Sequence, residues 1–179
     1  MLCTRILHEQ FHKEMKRLLL MRHAKSSWDD QDLADFDRPL NDRGLAAAPF
    51  IGELIAGRGL APDEIVSSPA KRAVHTATLF KDSGGFEALI RLEERIYEAG
   101  PQTLKQVAAE FRDEFDVVMM VGHNPGFEGF VSYLTGKHES MPTAAVAVID
   151  LNIDNWSDVK NGNGDLIELI RPKEQARNN

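Results

Sequence analysis

The sequence predicts an α/β fold, a three-layer sandwich in which a mainly parallel sheet carries helices on both faces. Two observations predict it. Apolar runs at 18–21, 64–67 and 116–121 have the length and composition of buried strands, and each is followed by a stretch with helical features. Because this alternation continues over most of the chain, we expect parallel strands with helices packed above and below them.

The first predicted helix follows the first strand after a polar loop and covers residues 42–56. Gly57 is expected to end it, since glycine is common just past the last turn of a helix. Pro49 lies inside this stretch. Because proline removes a backbone donor and crowds the preceding turn, we expect it to kink or split the helix.

The second predicted helix follows the strand at 64–67. Ser68 and Pro69 predict its start, with serine as the N-cap and proline at the first helical position. We expect this helix to end near Lys81.

The second half of the chain repeats the alternation. Its predicted elements are, in order, a short strand at 88–92, an amphipathic helix opening at Pro101, the strand at 116–121, a helix ended by Gly136, and two closing strands at 144–151 and 165–170.

Composition limits the size and partners of the protein. A chain of 179 residues with 42% hydrophobic content suits one domain. A net charge of -7 argues against a nucleic-acid partner, and no apolar run approaches the roughly 20 residues that span a bilayer. The single cysteine, Cys3, cannot form an intramolecular disulfide, so the cytoplasm is the expected location, and we expect a monomer.

Charged and imidazole side chains follow three of the predicted strands. Arg22 and His23 come after the first, Arg72 follows one helical turn past the second, and His123 comes after the strand at 116–121. Because the carboxyl ends of parallel strands share one edge, we expect these four residues to converge. Two arginines and two histidines without a metal-ligand pattern predict an anion pocket that needs no metal or other cofactor.

The segments that carry these residues resemble, in order and spacing, the motifs of the histidine phosphatase superfamily. They read MRHAKSSW, DRPLNDRG, SSPAKRAVHTA and VGHNPGFE, and the resemblance extends from about Lys16 to Pro172. The compact length and the segments VGHNPG and IYEA are most similar to the small SixA-like phosphohistidine phosphatases.

The resemblance implies a phosphoglycerate-mutase-like fold with His23 as the nucleophile and Arg22, Arg72 and His123 around the phosphoryl group. The family's usual Arg-His-Gly signature has Ala24 in its third position here. A position that needs positive φ would resist alanine.

The chemistry of the residues agrees with that implication. A neutral His23 can attack phosphorus in line if its other ring nitrogen keeps its proton, held by a hydrogen bond that we expect from a backbone carbonyl. A phosphohistidine intermediate follows. His123 must then carry a proton on the nitrogen that faces the phosphate, and Ser26 is a further candidate for binding phosphate.

The acid that protonates the leaving group is the open assignment. The resemblance places Glu94 where phosphomonoester-cleaving relatives have a general acid, Glu98 is its rival, and a solvated acidic edge with no catalytic role is the third interpretation. A phosphoester oxygen needs such an acid, whereas a phosphohistidine nitrogen needs it much less.

The loop after His23 contributes two further hypotheses. Arg38 is expected to fix this loop through an acidic partner, with a substrate-side role left open. Asp35, Asp37 and Asp42 lie near the histidines and suggest a metallohydrolase, but the chain lacks the spaced histidines and paired cysteines typical of metal sites.

The class of substrate can be inferred from whether a lid covers the pocket. Glu94 and His123 are 123 − 94 = 29 residues apart, and one predicted helix and one strand use that length, so we expect no lid. An open pocket favours phosphohistidine presented on a protein. The alternatives are a phosphatase of small phosphomonoesters and a phosphate-binding module without turnover.

The resemblance also implies the domain boundary. The segment MKRLLLMRHAKS matches a complete family N-terminus that begins at Met15. Residues 15–179 are therefore expected to form a single histidine phosphatase domain, and residues 1–14 an N-terminal extension without a part in the site.

Overall fold

Six strands form one sheet in the computed structural model, which describes residues 15–175. The strands are β1 (Lys16–Arg22), β2 (Glu64–Ser67), β3 (Leu89–Leu92), β4 (Val117–Gly122), β5 (Val146–Leu151) and β6 (Gly164–Ile170). Their order across the sheet is β3-β2-β4-β1-β5-β6. The expectation for residues 1–14 lies outside the described residues.

Four neighbouring strands of this sheet run parallel. β1 pairs with β4, β4 with β2, and β2 with β3 in parallel register, whereas β5 and β6 add an antiparallel pair beside β1. The mainly parallel sheet is confirmed, and the carboxyl ends of β1, β2 and β4 lie side by side.

The helices cover both faces of the sheet. They are α1 (Asp42–Gly57), α2 (Lys71–Gly84), α3 (Pro101–Ala108), α4 (Gly126–Thr135) and the short α5 (Pro172–Gln175), with 3-10 turns at Asp35–Asp37, Glu94–Ile96 and Trp156–Asp158. Within the described part of the chain, no helix combines the length and apolar character needed to cross a membrane.

Alternate residues of β1 enter two separate cores. Leu18 and Leu20 pack in the core with α3 and α4, whereas Leu19 and Met21 pack in the core with α1 and α2. A strand covered on both faces needs apolar residues throughout, which is why β1 appears in the sequence as an unbroken apolar run. The three-layer sandwich is confirmed.

Pro49 does not split α1, which continues from Asp42 to Gly57. A proline inside a helix costs about 3 kcal/mol. Ala48, Ile51 and Ile55 lie on both sides of it and are fully buried, so packing against the sheet holds the helix together.

The predicted start of the second helix is wrong. α2 begins at Lys71, its N-cap is Ala70, and no side chain caps it. Ser68 still belongs to the sheet edge, where its backbone N–H donates to the carbonyl of Val121, and its hydroxyl contacts His123. The helix also extends past Lys81 to Gly84.

Candidate active site

The four residues predicted to form an anion pocket lie around one cavity where the parallel strands end. Arg22 is the last residue of β1 and His23 follows it, Arg72 lies in the first turn of α2, and His123 directly follows β4. All four line the cavity, which has a volume of about 680 Å³. The order of the parallel strands therefore assembles the pocket.

His23 is held in one protonation state by a backbone oxygen. Its Nδ1 lies 2.8 Å from the carbonyl oxygen of Ala24, which can only accept, so Nδ1 carries the proton and Nε2 has a free lone pair. Burial lowers the pKa of His23 to about 3, and the positive charges of Arg72 and Arg22 act in the same direction. The side chain is therefore neutral at physiological pH, with the expected carbonyl in place.

Arg72 links the two histidines. Its Nε donates to Nε2 of His23 at 3.3 Å, and its Nη2 lies 3.3 Å from Nδ1 of His123. The histidine rings are 5.0 Å apart between centroids. One edge of the guanidinium, formed by Nε and Nη2, therefore faces the space between the two imidazoles.

His123 contacts Ser68, a residue that the sequence analysis assigned to a helix cap. Its Nε2 lies 2.8 Å from the hydroxyl oxygen of Ser68, and both side chains are buried. Burial and the positive charge of the neighbouring Arg72 together lower the pKa of His123 to about 4. Since Nη2 of Arg72 can only donate, its contact with Nδ1 indicates that Nε2 carries the proton here and donates to Ser68. The hydroxyl can also donate to Nε2, so the tautomer with a proton on Nδ1 becomes available when a ligand oxygen takes the place of that contact.

Asp35 is a site residue that the sequence analysis considered only as a metal ligand. Its Oδ2 accepts from Nη2 of Arg72 at 2.8 Å and from the hydroxyl of Tyr97 at 3.0 Å, and its Oδ1 accepts from Nη1 of Arg38 at 2.7 Å. The expected acidic partner of Arg38 is therefore Asp35. The (i, i+3) spacing of this pair was the available sequence signal, but it does not indicate the contact with Arg72.

The charge of Asp35 is secured by these donors. Burial alone would raise the pKa of this carboxyl, but hydrogen bonds from Arg38, Tyr97 and Arg72 outweigh it and lower the pKa to about 2. The carboxylate of Asp35 is therefore already bound by three protein donors. Within residues 15–175, no three His, Cys, Asp or Glu side chains are grouped so that they could hold a metal ion.

Two predicted site residues do not line the cavity. Glu94 is exposed in the 3-10 turn Glu94–Ile96, and the chain reaches the cavity wall four residues later, at Glu98. Ser26 is buried, and its hydroxyl accepts from Nη2 of Arg38 at 2.7 Å. The geometry therefore favours Glu98 over Glu94 as the candidate acid. Ser26 instead binds Arg38 and helps to hold the loop.

The departure at Ala24 fits the backbone. Among the described residues other than glycine, positive φ occurs only at Glu98 (53°) and Ala144 (61°), so Ala24 needs no glycine conformation. Its side chain is fully buried, and its N–H donates to Oγ1 of Thr76 at 3.0 Å.

One wall of the cavity is a packed turn. Residues 98–101 line the cavity and lie against the start of α4, where a Cβ on Gly126 would come within 2.0 Å of the carbonyl oxygen of Ala99. Between Glu94 and His123 the chain forms a 3-10 turn, α3 and β4. These elements cover only part of the segment, and residues 97–100 and 109–116 form the turns and loops between them, so the absence of a lid stays a prediction.

Two polar atoms in residues that line the cavity have no protein partner. Nε of Arg22 and Oδ1 of Asn124 are buried and make no hydrogen bond within the described part of the chain. Nη1 of Arg22 donates to the carbonyl of Met141 at 2.9 Å, so one arm of this guanidinium is anchored. A buried donor left unpaired costs about 1–3 kcal/mol, which an anionic ligand can offset.

Comparisons with known proteins agree with this geometry. The family model for the histidine phosphatase superfamily (branch 1) matches residues 18–133. An uncharacterized protein of Mycobacterium tuberculosis is 30% identical over 164 residues, covering 86% of this chain and 100% of that protein. A 2,3-bisphosphoglycerate-dependent phosphoglycerate mutase of Streptomyces avermitilis is 37% identical over 106 residues, which cover 55% of this chain but only 42% of the mutase.

A solved structure matches nearly the whole chain. The Agrobacterium tumefaciens protein assigned as the phosphohistidine phosphatase SixA is 31% identical and superposes with a TM-score of 0.76, covering 88% of this chain and 98% of that one.

Proposed function

Because this chain belongs to the histidine phosphatase superfamily, we propose that it dephosphorylates phosphohistidine on a protein, through a phosphohistidine intermediate on His23 and without a metal ion. Membership makes the chain a phosphatase, and the proposal concerns its substrate and the roles of its residues. The observation that carries it is the hydrogen bond from Nδ1 of His23 to Ala24, which leaves Nε2 as a nucleophile beside Arg72.

In the first step, Nε2 of His23 attacks phosphorus as the substrate's phosphorus–nitrogen bond breaks. The electron pair of that bond leaves with the substrate imidazole, which takes up a proton from solvent. The carbonyl of Ala24 accepts a hydrogen bond from Nδ1–H throughout, so it holds the orientation of the phosphorylated imidazolium that forms on His23.

In the second step, water attacks phosphorus opposite His23 and releases inorganic phosphate. The phosphorus–Nε2 bond breaks, its electron pair returns to His23, and the water gives up one proton to the phosphate or to solvent. The enzyme returns to its starting state, so the reaction needs no other co-reactant.

The charge of the transferring group is stabilised by three side chains that line the cavity, two of which already present N–H donors. Arg22 supplies its unpaired Nε, and Arg72 supplies the Nε–Nη2 edge that faces the histidines. His123 supplies Nδ1–H once Ser68 donates to Nε2. Preorganised donors of this kind supply much of the rate enhancement in phosphoryl transfer.

The surface beside the cavity suits a protein substrate. The loop that carries Asp35 also exposes three large apolar side chains, with 67% of Trp28, 38% of Leu33 and 38% of Phe36 accessible to solvent. Apolar side chains next to a polar cavity are typical of a surface that contacts another macromolecule. The similarity to the Agrobacterium protein supports the same substrate class.

A phosphatase of small phosphomonoesters is the second candidate. One observation favours it, namely that Glu98 lines the cavity and could protonate an ester oxygen. The third alternative, a binding module without turnover, is set aside because the chain belongs to a family of phosphatases.

Turnover of a phosphohistidine protein, compared with a panel of phosphomonoesters, tests the substrate. We expect kcat/KM to be at least about 100-fold higher for the protein, and a preference for any small ester would overturn the proposal. EDTA should leave the rate unchanged, whereas a loss restored by a divalent ion would refute the mechanism without a metal.

The nucleophile is tested by trapping. Rapid quenching with labelled substrate should leave acid-labile, base-stable label on the wild-type protein and none on His23→Ala. Circular dichroism should show that the variant keeps its fold. Label that persists on His23→Ala would mean that another residue is the nucleophile.

A further inference from the structure

We propose that Asp35 is a positioning residue that holds one edge of the Arg72 guanidinium so that the other edge faces the phosphoryl group. This inference rests on the proposed function, since it assigns Arg72 to the phosphoryl site. Asp35 lies on the loop after β1 and is not one of the four residues predicted to form the pocket.

The atoms of Arg72 divide between two edges. Nη1 and Nη2 form the end edge, and both are held by Asp35, Nη1 by its backbone oxygen and Nη2 by Oδ2 at 2.8 Å. Nε and Nη2 form the side edge, which faces Nε2 of His23 and Nδ1 of His123. Since Nη2 carries two hydrogens, both edges can be used at once.

A phosphoryl group between the histidines would use the side edge. Arginine binds phosphate best when two parallel N–H groups point at two oxygens, and this requires the guanidinium plane to be oriented. Asp35 contacts the adjacent end edge, so it orients the plane and leaves the side edge open to the phosphoryl oxygens.

Asp35 is itself fixed by two other donors. Nη1 of Arg38 holds Oδ1, and the hydroxyl of Tyr97 holds Oδ2. The ring of Tyr97 also meets the ring of His123 edge-on, with centroids 5.4 Å apart. The carboxylate therefore joins the loop after β1, the turn before α3, and the first turn of α2.

The burial of Arg72 explains why the orientation of its guanidinium matters. The side chain of Arg72 is 7% exposed, whereas that of Asp35 is 45% exposed. An exposed ion pair contributes little to stability. The contribution expected of Asp35 lies instead in the orientation of a buried donor, where a misplacement of about 1 Å can cost on the order of 100-fold in rate.

A double-mutant cycle on an equilibrium ligand tests this role. The probe is tungstate, a phosphate analogue, with its Kd measured for wild type, Asp35→Asn, Arg72→Ala and the double variant. We expect Asp35→Asn to weaken binding about 10-fold alone and less than about 2-fold in the Arg72→Ala background, because the carboxylate acts through the guanidinium. Losses that multiply in the double variant would overturn the inference.

Asp37→Asn is the matched control. Asp37 lies in the same loop, is exposed, and makes no side-chain hydrogen bond within the described residues, so the same change of charge should leave the Kd within about 2-fold. Equal effects of Asp35→Asn and Asp37→Asn would show that only the charge of the loop matters and would contradict positioning.

Two measurements keep the test independent of affinity and folding. NMR of the unliganded protein should show faster rotation about the Cζ–Nη bonds of Arg72 in Asp35→Asn but not in Asp37→Asn, and unchanged rotation would contradict the inference. If Asp35→Asn does not fold, Tyr97→Phe removes one donor from the carboxylate. It should weaken tungstate binding about 3-fold, again only while Arg72 is present.

Turnover separates this inference from the proposed function. On a phosphorylated histidine peptide, Asp35→Asn should lower kcat/KM by about 10- to 100-fold, mainly through kcat. A protein that shows the expected tungstate cycle but does not turn over phosphohistidine would refute the proposed substrate and leave the positioning role intact.

Discussion

The two histidines of the cavity are each tied to one oxygen, and these contacts control where their protons lie. The carbonyl of Ala24 can only accept, so it leaves His23 one neutral tautomer, with its lone pair on Nε2. The hydroxyl of Ser68 can accept or donate, so His123 can move its proton to Nδ1 when an anion arrives. These contacts fit the roles proposed above, with His23 as the nucleophile and His123 as a donor to the phosphoryl group.

The depressed pKa values of the histidines predict acid sensitivity of the fold. The pKa is about 3 for His23 and about 4 for His123, against 6.5 for an unperturbed histidine. Below pH 6.5 the unfolded chain therefore binds protons that the folded chain does not, so stability falls as pH decreases from 6.5 towards 4. The loss should be about 1 kcal/mol per pH unit for each histidine.

Urea unfolding of wild type and His23→Gln at pH 7.5 and 5.5 measures this loss. The variant should lose less stability than wild type between the two values. The lowered pKa of Asp35, about 2, affects stability only below about pH 4, outside this window. Equal losses in the two proteins would contradict a neutral, buried His23.

The position of Glu98 predicts how two leaving groups will differ. Glu98→Gln should lower turnover of phosphomonoesters by about 100-fold, since an ester oxygen needs a proton to leave. It should leave phosphohistidine turnover within a few-fold. Glu94→Gln is the control, and because Glu94 lies outside the cavity wall, both rates should stay within about 2-fold of wild type. Equal losses on both substrates from Glu98→Gln would assign that glutamate to pocket shape.

At the scale of elements, the site depends on where helices begin relative to the sheet. α2 begins at Lys71 and not at Ser68, which puts Arg72 in the first helical turn. The hydroxyl of Ser68 contacts His123 and also accepts from the N–H of Ala70 at 3.3 Å. The local capping pattern at Ser68 is not realised, because a tertiary contact pairs the backbone of Ser68 with Val121 at the sheet edge.

The contact between α4 and the turn at residues 98–101 gives a prediction for Gly126. A Cβ there would lie 2.0 Å from the carbonyl oxygen of Ala99, which is backbone and cannot swing away. Gly126→Ala should therefore destabilise the protein by about 1–3 kcal/mol and shift the cavity wall that carries Glu98.

Thermal unfolding and kcat/KM measure both effects. Gly57→Ala is the control, since a Cβ at Gly57 meets nothing within 4 Å, and it should not lower stability or activity. A Gly126→Ala protein with wild-type stability would show that the turn can move freely.

At the scale of the whole molecule, all residues assigned to the site lie between Arg22 and Gly126. The superposition on the Agrobacterium structure, with a TM-score of 0.76 over 88% of this chain, confirms the phosphoglycerate-mutase-like fold. We expect a protein that begins at Met15 to keep its kcat/KM within about 2-fold, because residues 1–14 are assigned no part in the site. A loss of more than about 10-fold in that protein would assign function to the extension.

The fold class and the four residues of the pocket could be predicted from the sequence. Buried strands and amphipathic helices are local patterns, and parallel strands bring their carboxyl ends to one edge wherever the connecting loops run. Arg22, His23, Arg72 and His123 follow directly from that rule. The resemblance to the superfamily added the role proposed for each.

The side chains that support these four could not be predicted from the sequence. Asp35 and Arg72 are separated by 37 positions, and Ser68 and His123 by 55. The same holds for the choice of Glu98 over Glu94 at the cavity wall. Such contacts depend on the path of loops and on where a helix begins, which packing of the whole chain determines and no local pattern encodes.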